Sequence, residues 1–392
     1  ITKKGELRAG ERLVITMINY DGPIEMDFVK SHAWEKMKLV LLIYYCRNKQ
    51  LNSNLLYKIG FVKLFTPPEI DLEIIKKDYD YIVKTIRDGR AHELSERDTM
   101  YLGACTKGAN AEKSTVPQYY GDNIPARKRA FCFKNSYMTY VLNHYIAGEQ
   151  SDNSIIKDIN SIKENTFEQI LEQIVSRYVG KSDKELCELF GRDYNNNKAQ
   201  WNDLACKILG IRDEHADEFV KANIRVKTIR VEENNSIKEN MSFSPFKFME
   251  LVNQDFENSE LHKFFEETKL FFFIWKKDGD VYRVKSCQLW SMPSNDLEVV
   301  VRNEWEQYKN IIQYGVKFIK SVDRKGKISF KNNLPNKSDT QIIHIRPHSK
   351  MAAYQFNNGE SYGNVERDAN MLPNGEYMTT QSFWINNNYI LK

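Results

Sequence analysis

Two stretches of the chain are apolar almost without a break, "KLVLLIYY" (Lys38–Tyr45) and "KLFFFIW" (Lys269–Trp275). Neither shows the alternation of a half-buried strand. Continuous runs of this length predict central strands covered on both faces. Further along, a proline-containing turn leads into "DLEI" in one case and "DLEV" in the other. There the period changes. Ile74, Ile75, Ile82 and Ile86 recur at helical spacing, as do Val299, Val300, Ile311 and Ile312. Asp71 and Asp296 are placed to cap these helices, which should end near Gly89 and Gly315. Sheet and helix are mixed in both regions, so an α/β (mixed α+β) fold is expected.

The two regions belong to a longer repetition. "EKMKLVLLIYY" (Glu35–Tyr45) matches "EETKLFFFIWK" (Glu266–Lys276), and "LFTPPEIDLEI" (Leu64–Ile74) matches "LWSMPSNDLEV" (Leu289–Val299). "DTMYLGACTK" (Asp98–Lys107) matches "DTQIIHIRPH" (Asp339–His348), and "FCFKNSYM" (Phe131–Met138) matches "YMTTQSFW" (Tyr377–Trp384). Four collinear blocks point to two copies of one fold. The polar stretch 148–165 reads as the boundary, giving copies over 1–150 and 151–392. Helical segments follow it, "TFEQILEQIVSRYVG" and "WNDLACKILG", with Asn195–Asn197 as a turn between them. The first copy shows no equivalent.

Composition narrows the class. With 392 residues, 41% hydrophobic and 28% charged, the chain is of globular type. The run Leu270–Trp275 is too short to span a bilayer and no secretory signal opens the sequence, so a cytoplasmic protein with no membrane partner is expected. Six scattered cysteines lack zinc spacing and read as free thiols. The net charge of +4 is compatible with DNA binding and does not demand it.

"GELRAGERLVITMINY", "RVKTIRVEENNSIKENMSF", "IIHIRPH" and "GEYMTTQSFWINNNYI" together resemble the MutH-like type II restriction endonucleases. The form resembled is the Sau-three-A-one type, which carries two MutH-like copies in one chain. The resemblance covers essentially the whole sequence. It implies two tandem restriction-endonuclease-fold domains, each a mixed sheet flanked by helices. It also implies cleavage of duplex DNA at GATC. In that family an Asp and a Glu-x-Lys strand hold Mg²⁺, an oxygen-seeking cation, and the lysine serves the attacking water. In the second copy the Glu position holds Arg225, the Asp position holds Glu218, and Lys227 is kept. A guanidinium repels a cation, so this copy reads as disarmed, with no metal bound to this chain. The matching strand of the first copy falls before Ile1 by the repeat offset, so this chain is expected to lack its catalytic residues. Glu6-Leu7-Arg8 imitates Glu-x-basic, but no Asp precedes it and it lies after the expected strand.

The resemblance also implies DNA contacts. In the first copy Lys107 matches the basic base-reader and Gly108 a close backbone approach, while Cys105 and Thr106 depart from the family's Arg and Pro. In the second copy Arg346 and Pro347 match and His348 replaces a lysine. Tyr377 matches an aromatic near the bases, for which the first copy offers Cys132. Arg and Lys can donate to guanine O6 and N7. Arg127, Lys128 and Arg129 are placed to meet phosphates. The expected partner is double-stranded DNA containing GATC, bound by a monomer or a DNA-induced dimer. The second copy would be a regulatory DNA-binding domain. A non-catalytic DNA-binding protein derived from a nuclease is the alternative. A repair nickase fits less well, since it has one copy.

Overall fold

The computed structural model of the protein describes residues 7–47, 50–108, 114–121, 124–195, 197–237, 241–324, 326 and 328–390. Packing divides the chain into two units, Ile1–Thr228 with Glu266–Ser291, and Ile229–Phe265 with Met292–Lys392. Strands are numbered in chain order.

In the first unit an antiparallel sheet has the order β1 (Leu13–Met17), β7 (Arg129–Phe133), β4 (Leu102–Thr106). Period-two alternation sends Leu102, Ala104, Phe131 and Phe133 into the core, where Ile74, Ile75, Ile82 and Ile86 of the helix Glu69–Arg87 meet them. Asp78, on that helix one turn past Ile74, fixes the junction. Its carboxylate accepts from the amides of Met100, Tyr101 and Leu102 at 2.7–2.9 Å. Asp71 does not cap the helix, contrary to the sequence pattern. It lies inside the first turn, buried, and accepts from Lys221 Nζ at 2.7 Å and from the hydroxyls of Tyr137 and Tyr145.

Two hairpins complete the sheet structure, with the short ribbon β5 (Thr115–Val116) and β6 (Ala126–Arg127). The hairpin β2 (Val40–Cys46) with β3 (Lys58–Phe65) buries Leu42 and Phe65 but leaves Leu41, Ile43 and Tyr45 more than half exposed. The reading of "KLVLLIYY" as covered on both faces is thus corrected: one face has no cover among the described residues. The second hairpin, β10 (Lys269–Asp278) with β11 (Val281–Trp290), is joined by β8 (Ile224–Val231) in the order β11-β10-β8. Here Phe271, Phe273 and Trp275 are fully buried. Phe219 packs on Phe271 and Trp201 on Trp275, from the helices Asp217–Ala222 and Lys198–Leu209.

The second unit repeats the first sheet as β14 (Ile343–Pro347), β19 (Gln381–Ile385), β9 (Met241–Phe246), again antiparallel. It adds a ribbon of β12 (Phe318–Val322) and β13 (Ile328–Asn332). A small sheet runs β16 (Ser361–Tyr362), β15 (Tyr354–Gln355), β18 (Tyr377–Thr379), β17 (Ala369–Met371). Glu304, on the helix Arg302–Tyr314, accepts from the amides of Gln341, Ile342 and Ile343, the device Asp78 provides in the other unit. Just before the equivalent strands, the turns Glu96–Asp98 and Lys337–Asp339 both close with capping boxes.

These correspondences agree with the third sequence block and shift the fourth. Strand order equates Arg129–Phe133 with Gln381–Ile385, so the block beginning at Tyr377 is out of step. The connection ahead of this strand is longer in the second unit, 348–380 against 107–128, and carries β15 to β18 where the first unit has β5 and β6. Cys132 faces Gly103 as Trp384 faces His344, so the counterpart of Cys132 is Trp384 and not Tyr377. Compactness does not divide the chain at residue 150. The buried Lys221–Asp71 pair ties the helices after 151 to the segment before it.

Candidate nucleic-acid interface

Alternation along β8 buries Ile224 and Val226 and puts Arg225 and Lys227 together on the other face. They border a cavity of about 440 Å³ that Lys134, Glu96, Glu214 and His215 also line. Burial pushes the Lys227 ammonium below its usual range, with Lys198 and Arg225 adding to the shift and Glu214 opposing it. Burial likewise pulls Lys134 down to about 8, helped by Lys269 and opposed by Asp78 and Glu96. Glu96 is pushed up to about 7 by burial, against the pull of Arg12 and Lys134.

Glu218 is not part of this group. Its carboxylate is 3% exposed and accepts from Ser154 Oγ at 2.6 Å and from the amides of Ile155 and Ile156 at 2.9 and 3.0 Å. Three donors aimed at a buried carboxylate satisfy it inside the protein. The structure therefore joins Arg225 to Lys227 and separates both from Glu218. The acids that line their cavity are Glu96, Glu214 and Glu267, none of which the family spacing singled out. This set does not fit magnesium: one carboxylate is spent on backbone amides, and the expected ligand position carries a permanent cation that only donates.

The loop after β4 is built on backbone pairing. The amide of Lys107 donates to the Lys128 carbonyl at 2.8 Å, and that of Lys128 to the Ser114 carbonyl at 2.7 Å. This leaves the Lys128 side chain exposed and that of Lys107 half-buried. Gly108 has φ +106°, and a Cβ there would collide with the Ser114 side chain, so the turn requires glycine. The continuation Ala109–Ala111 lies outside the described residues. Arg127 is half-buried. Arg129 departs from the phosphate-contact expectation. It is 5% exposed, donating to the Ala104 carbonyl at 2.7 Å and pairing with Glu266 at 3.3 Å. The alternation of β7 sends it under the sheet while Lys128 points out.

At the end of β14, Arg346 stands across from Ser382, its guanidinium 5.6 Å from the centre of the Trp384 ring. Pro347 and His348 are exposed, and the His348 amide donates to the Thr380 carbonyl at 2.8 Å. Tyr377 is half-buried on β18, paired with Gln355 and Met371 in the small sheet. It does not share the strand of Trp384. His344, Arg346, Ser382 and Trp384 occupy one face of β14 and β19. Both ring nitrogens of His344, Ser382 Oγ and Trp384 Nε1 are buried without a hydrogen-bond partner among the described residues. The sequence reading missed His344, Ser382 and Trp384. The alternation in "IIHIRPH" and "QSFWI" could have placed them beside Arg346.

Comparison with known proteins now bears on this geometry. The family model of the DNA mismatch repair enzyme MutH matches residues 1–78. The type II restriction enzyme Sau3AI of Staphylococcus aureus is 35% identical over 415 aligned residues, which take in all of this chain and 84% of that enzyme. The chain belongs to this family of MutH-like type II restriction enzymes. Nuclease ancestry and the restriction-endonuclease fold follow from that membership. No helix among the described residues is long and apolar enough to cross a membrane.

Proposed function

We propose that this protein is a cytoplasmic type II site-specific deoxyribonuclease acting on double-stranded DNA at GATC, and that its copy over 151–392 binds DNA without cutting it. Arg225 and Lys227 on one face of β8 carry the second half of this reading. A guanidinium where the family resemblance expects glutamate cannot hold a metal, but it can neutralise a phosphate. In the complete family set the metal polarises the scissile phosphate. In this copy Arg225 takes the neutralising role, with Lys227 beside it on the same face of β8. Arg346, flattened against Trp384, reads base edges with His348 nearby. Lys107 is the corresponding reader of the first copy, and Lys128 and Arg127 meet phosphates. Glu218 and Arg129 are structural.

In this reading the copy over 151–392 binds a GATC duplex and contributes no cleavage. The test pairs a duplex titration with incubation of an unmethylated GATC plasmid and Mg²⁺, for the protein and its Lys227→Ala variant. Binding that prefers GATC, with any cleavage unchanged in Lys227→Ala, is the expected result. Cleavage lost in Lys227→Ala while binding is kept would overturn the assignment of this copy as non-catalytic. Equal affinity for altered duplexes would overturn the GATC assignment.

A further inference from the structure

Residues 315–336 of the second unit stand where the first copy has only residues 88–95, between the long helix and the capped turn. They form the ribbon β12–β13, with Phe318 opposite Asn332, Ile319 opposite Lys331, Lys320 opposite Phe330, and Ser321 opposite Ser329. One face is anchored. Phe318 and Phe330 pack on Tyr354, Phe356 and Tyr362 with ring centres 4.7–5.8 Å apart, and Lys320 Nζ donates to the Tyr362 hydroxyl at 2.5 Å. The strands outrun this anchor, leaving Val322 61% and Ile328 39% exposed near the tip.

The opposite face presents Ile319, 67% exposed, with Ser321 and Ser329. Lys317, Arg324 and Lys331 are exposed and have no carboxylate partner among the described residues. A solvated charge run accounts for the cations. It does not account for a ribbon held at its base by five aromatic rings while β-branched side chains face water at its end. A two-stranded ribbon fits the major groove of B-DNA, about 12 Å wide.

Resting on the proposed DNA-binding function, we infer that the ribbon of β12 and β13 is a second DNA-contacting element of this unit, lying in the major groove of the bound duplex. Lys317, Arg324 and Lys331 reach phosphates on either side. Ile319, Ser321 and Ser329 face the base edges, where an apolar group meets thymine methyls and hydroxyls serve either donor or acceptor.

The experiment is a fluorescence-anisotropy titration of the full chain on a GATC duplex with long flanks, at several salt concentrations. The triple variant Lys317→Ala, Arg324→Ala, Lys331→Ala leaves the aromatic anchor intact. It should bind about tenfold or more weakly near 0.1 M salt, with a salt slope shallower by about two to three. Guanine N7 methylation protection outside GATC should be lost in the triple variant and kept in Arg346→Ala. If the parent binds and the triple variant matches it in affinity, slope and protection, the ribbon is not a DNA element. If the parent binds no duplex, the proposed function itself falls and takes this inference with it.

Discussion

The hairpins β2–β3 and β10–β11 share one design and meet opposite fates. Both break register, between Tyr44 and Tyr45 and between Ile274 and Trp275, one position apart in the repeat that matches Tyr44 with Trp275. Aligned on that bulge, the pairs Leu41/Leu64, Ile43/Val62 and Tyr45/Ile59 correspond to Phe271/Leu289, Phe273/Cys287 and Trp275/Val284. All six of the first set are more than half exposed. In the second set Phe271, Phe273, Trp275 and Val284 are buried. The apolar run sets the strand in each case. Burial is set by what lies over it, and only the second hairpin has the helices Phe167–Ser176, Lys198–Leu209 and Asp217–Ala222.

The largest effect that can break this comparison is at its bulge. Trp275→Ala should destabilise the protein by about 3–5 kcal/mol, since a fully buried indole leaves a cavity. Tyr45→Ala, its register partner, should cost under about 1 kcal/mol. Denaturant midpoints of the two variants check this, and similar losses would mean the two faces are equally covered. The lobe that covers β10–β11 is tied down by the Lys221–Asp71 pair. Lys221→Ala leaves a buried carboxylate facing only two hydroxyls, and should cost about 3–5 kcal/mol. The double change to Lys221→Met and Asp71→Leu should recover much of it.

The sheets differ as the hairpins do. Gly103 of β4 is replaced in β14 by His344, whose burial pulls its imidazole down to about 4, with Arg346 adding to the shift. A base with a depressed folded pKa is protonated first in the unfolded chain. Its contribution to stability is therefore whole above about 6.5 and falls as pH drops towards about 4. His344→Leu should flatten that part of the stability curve, as followed by urea midpoints between pH 7 and 4. An unchanged slope would assign the acid sensitivity to other groups. The readers set a smaller scale. Arg346→Ala and Lys107→Ala should each cost on the order of 1–3 kcal/mol in GATC binding and relax discrimination against altered sites.

Much of this was legible in the sequence, for reasons that also mark the limit. Local pattern was enough for the helix Glu69–Arg87, the duplicated strands "YLGACTK" and "IIHIRPH", and the helical lobe, because each is set by period and turn chemistry. Family resemblance brought Arg225 and Lys227 to one site, since i and i+2 on a strand share a face. Long-range pairing was not legible. Nothing around Asp71 shows that it meets Lys221, 150 positions away, and Glu218 looks like a free acid until the amides of Ile155 and Ile156 are seen on it. The same holds for Arg129, which a run of three basic residues presents as surface and the pleat turns inward. The fourth repeat block slipped because the connection before β19 is longer than the one before β7, and added length leaves no mark in an ungapped match.

The smallest expected effect is the sharpest test of the comparison. Ile43→Lys puts an ammonium on a face that is already 51% exposed at that position. Its stem can lie along Leu41 and Tyr45 while its head stays in water. Stability should change by less than about 0.5 kcal/mol. The same substitution at Phe273 would bury an unpaired charge, and that protein should not fold. Ile43→Lys should also change how molecules meet. Six apolar side chains on one hairpin face form a patch of the kind that drives association, and a charge at its centre should shift the onset of light scattering to higher protein concentration. A destabilised Ile43→Lys protein would show that this face is covered in solution. An unchanged scattering onset with unchanged stability would show that the patch, though exposed, does not drive association.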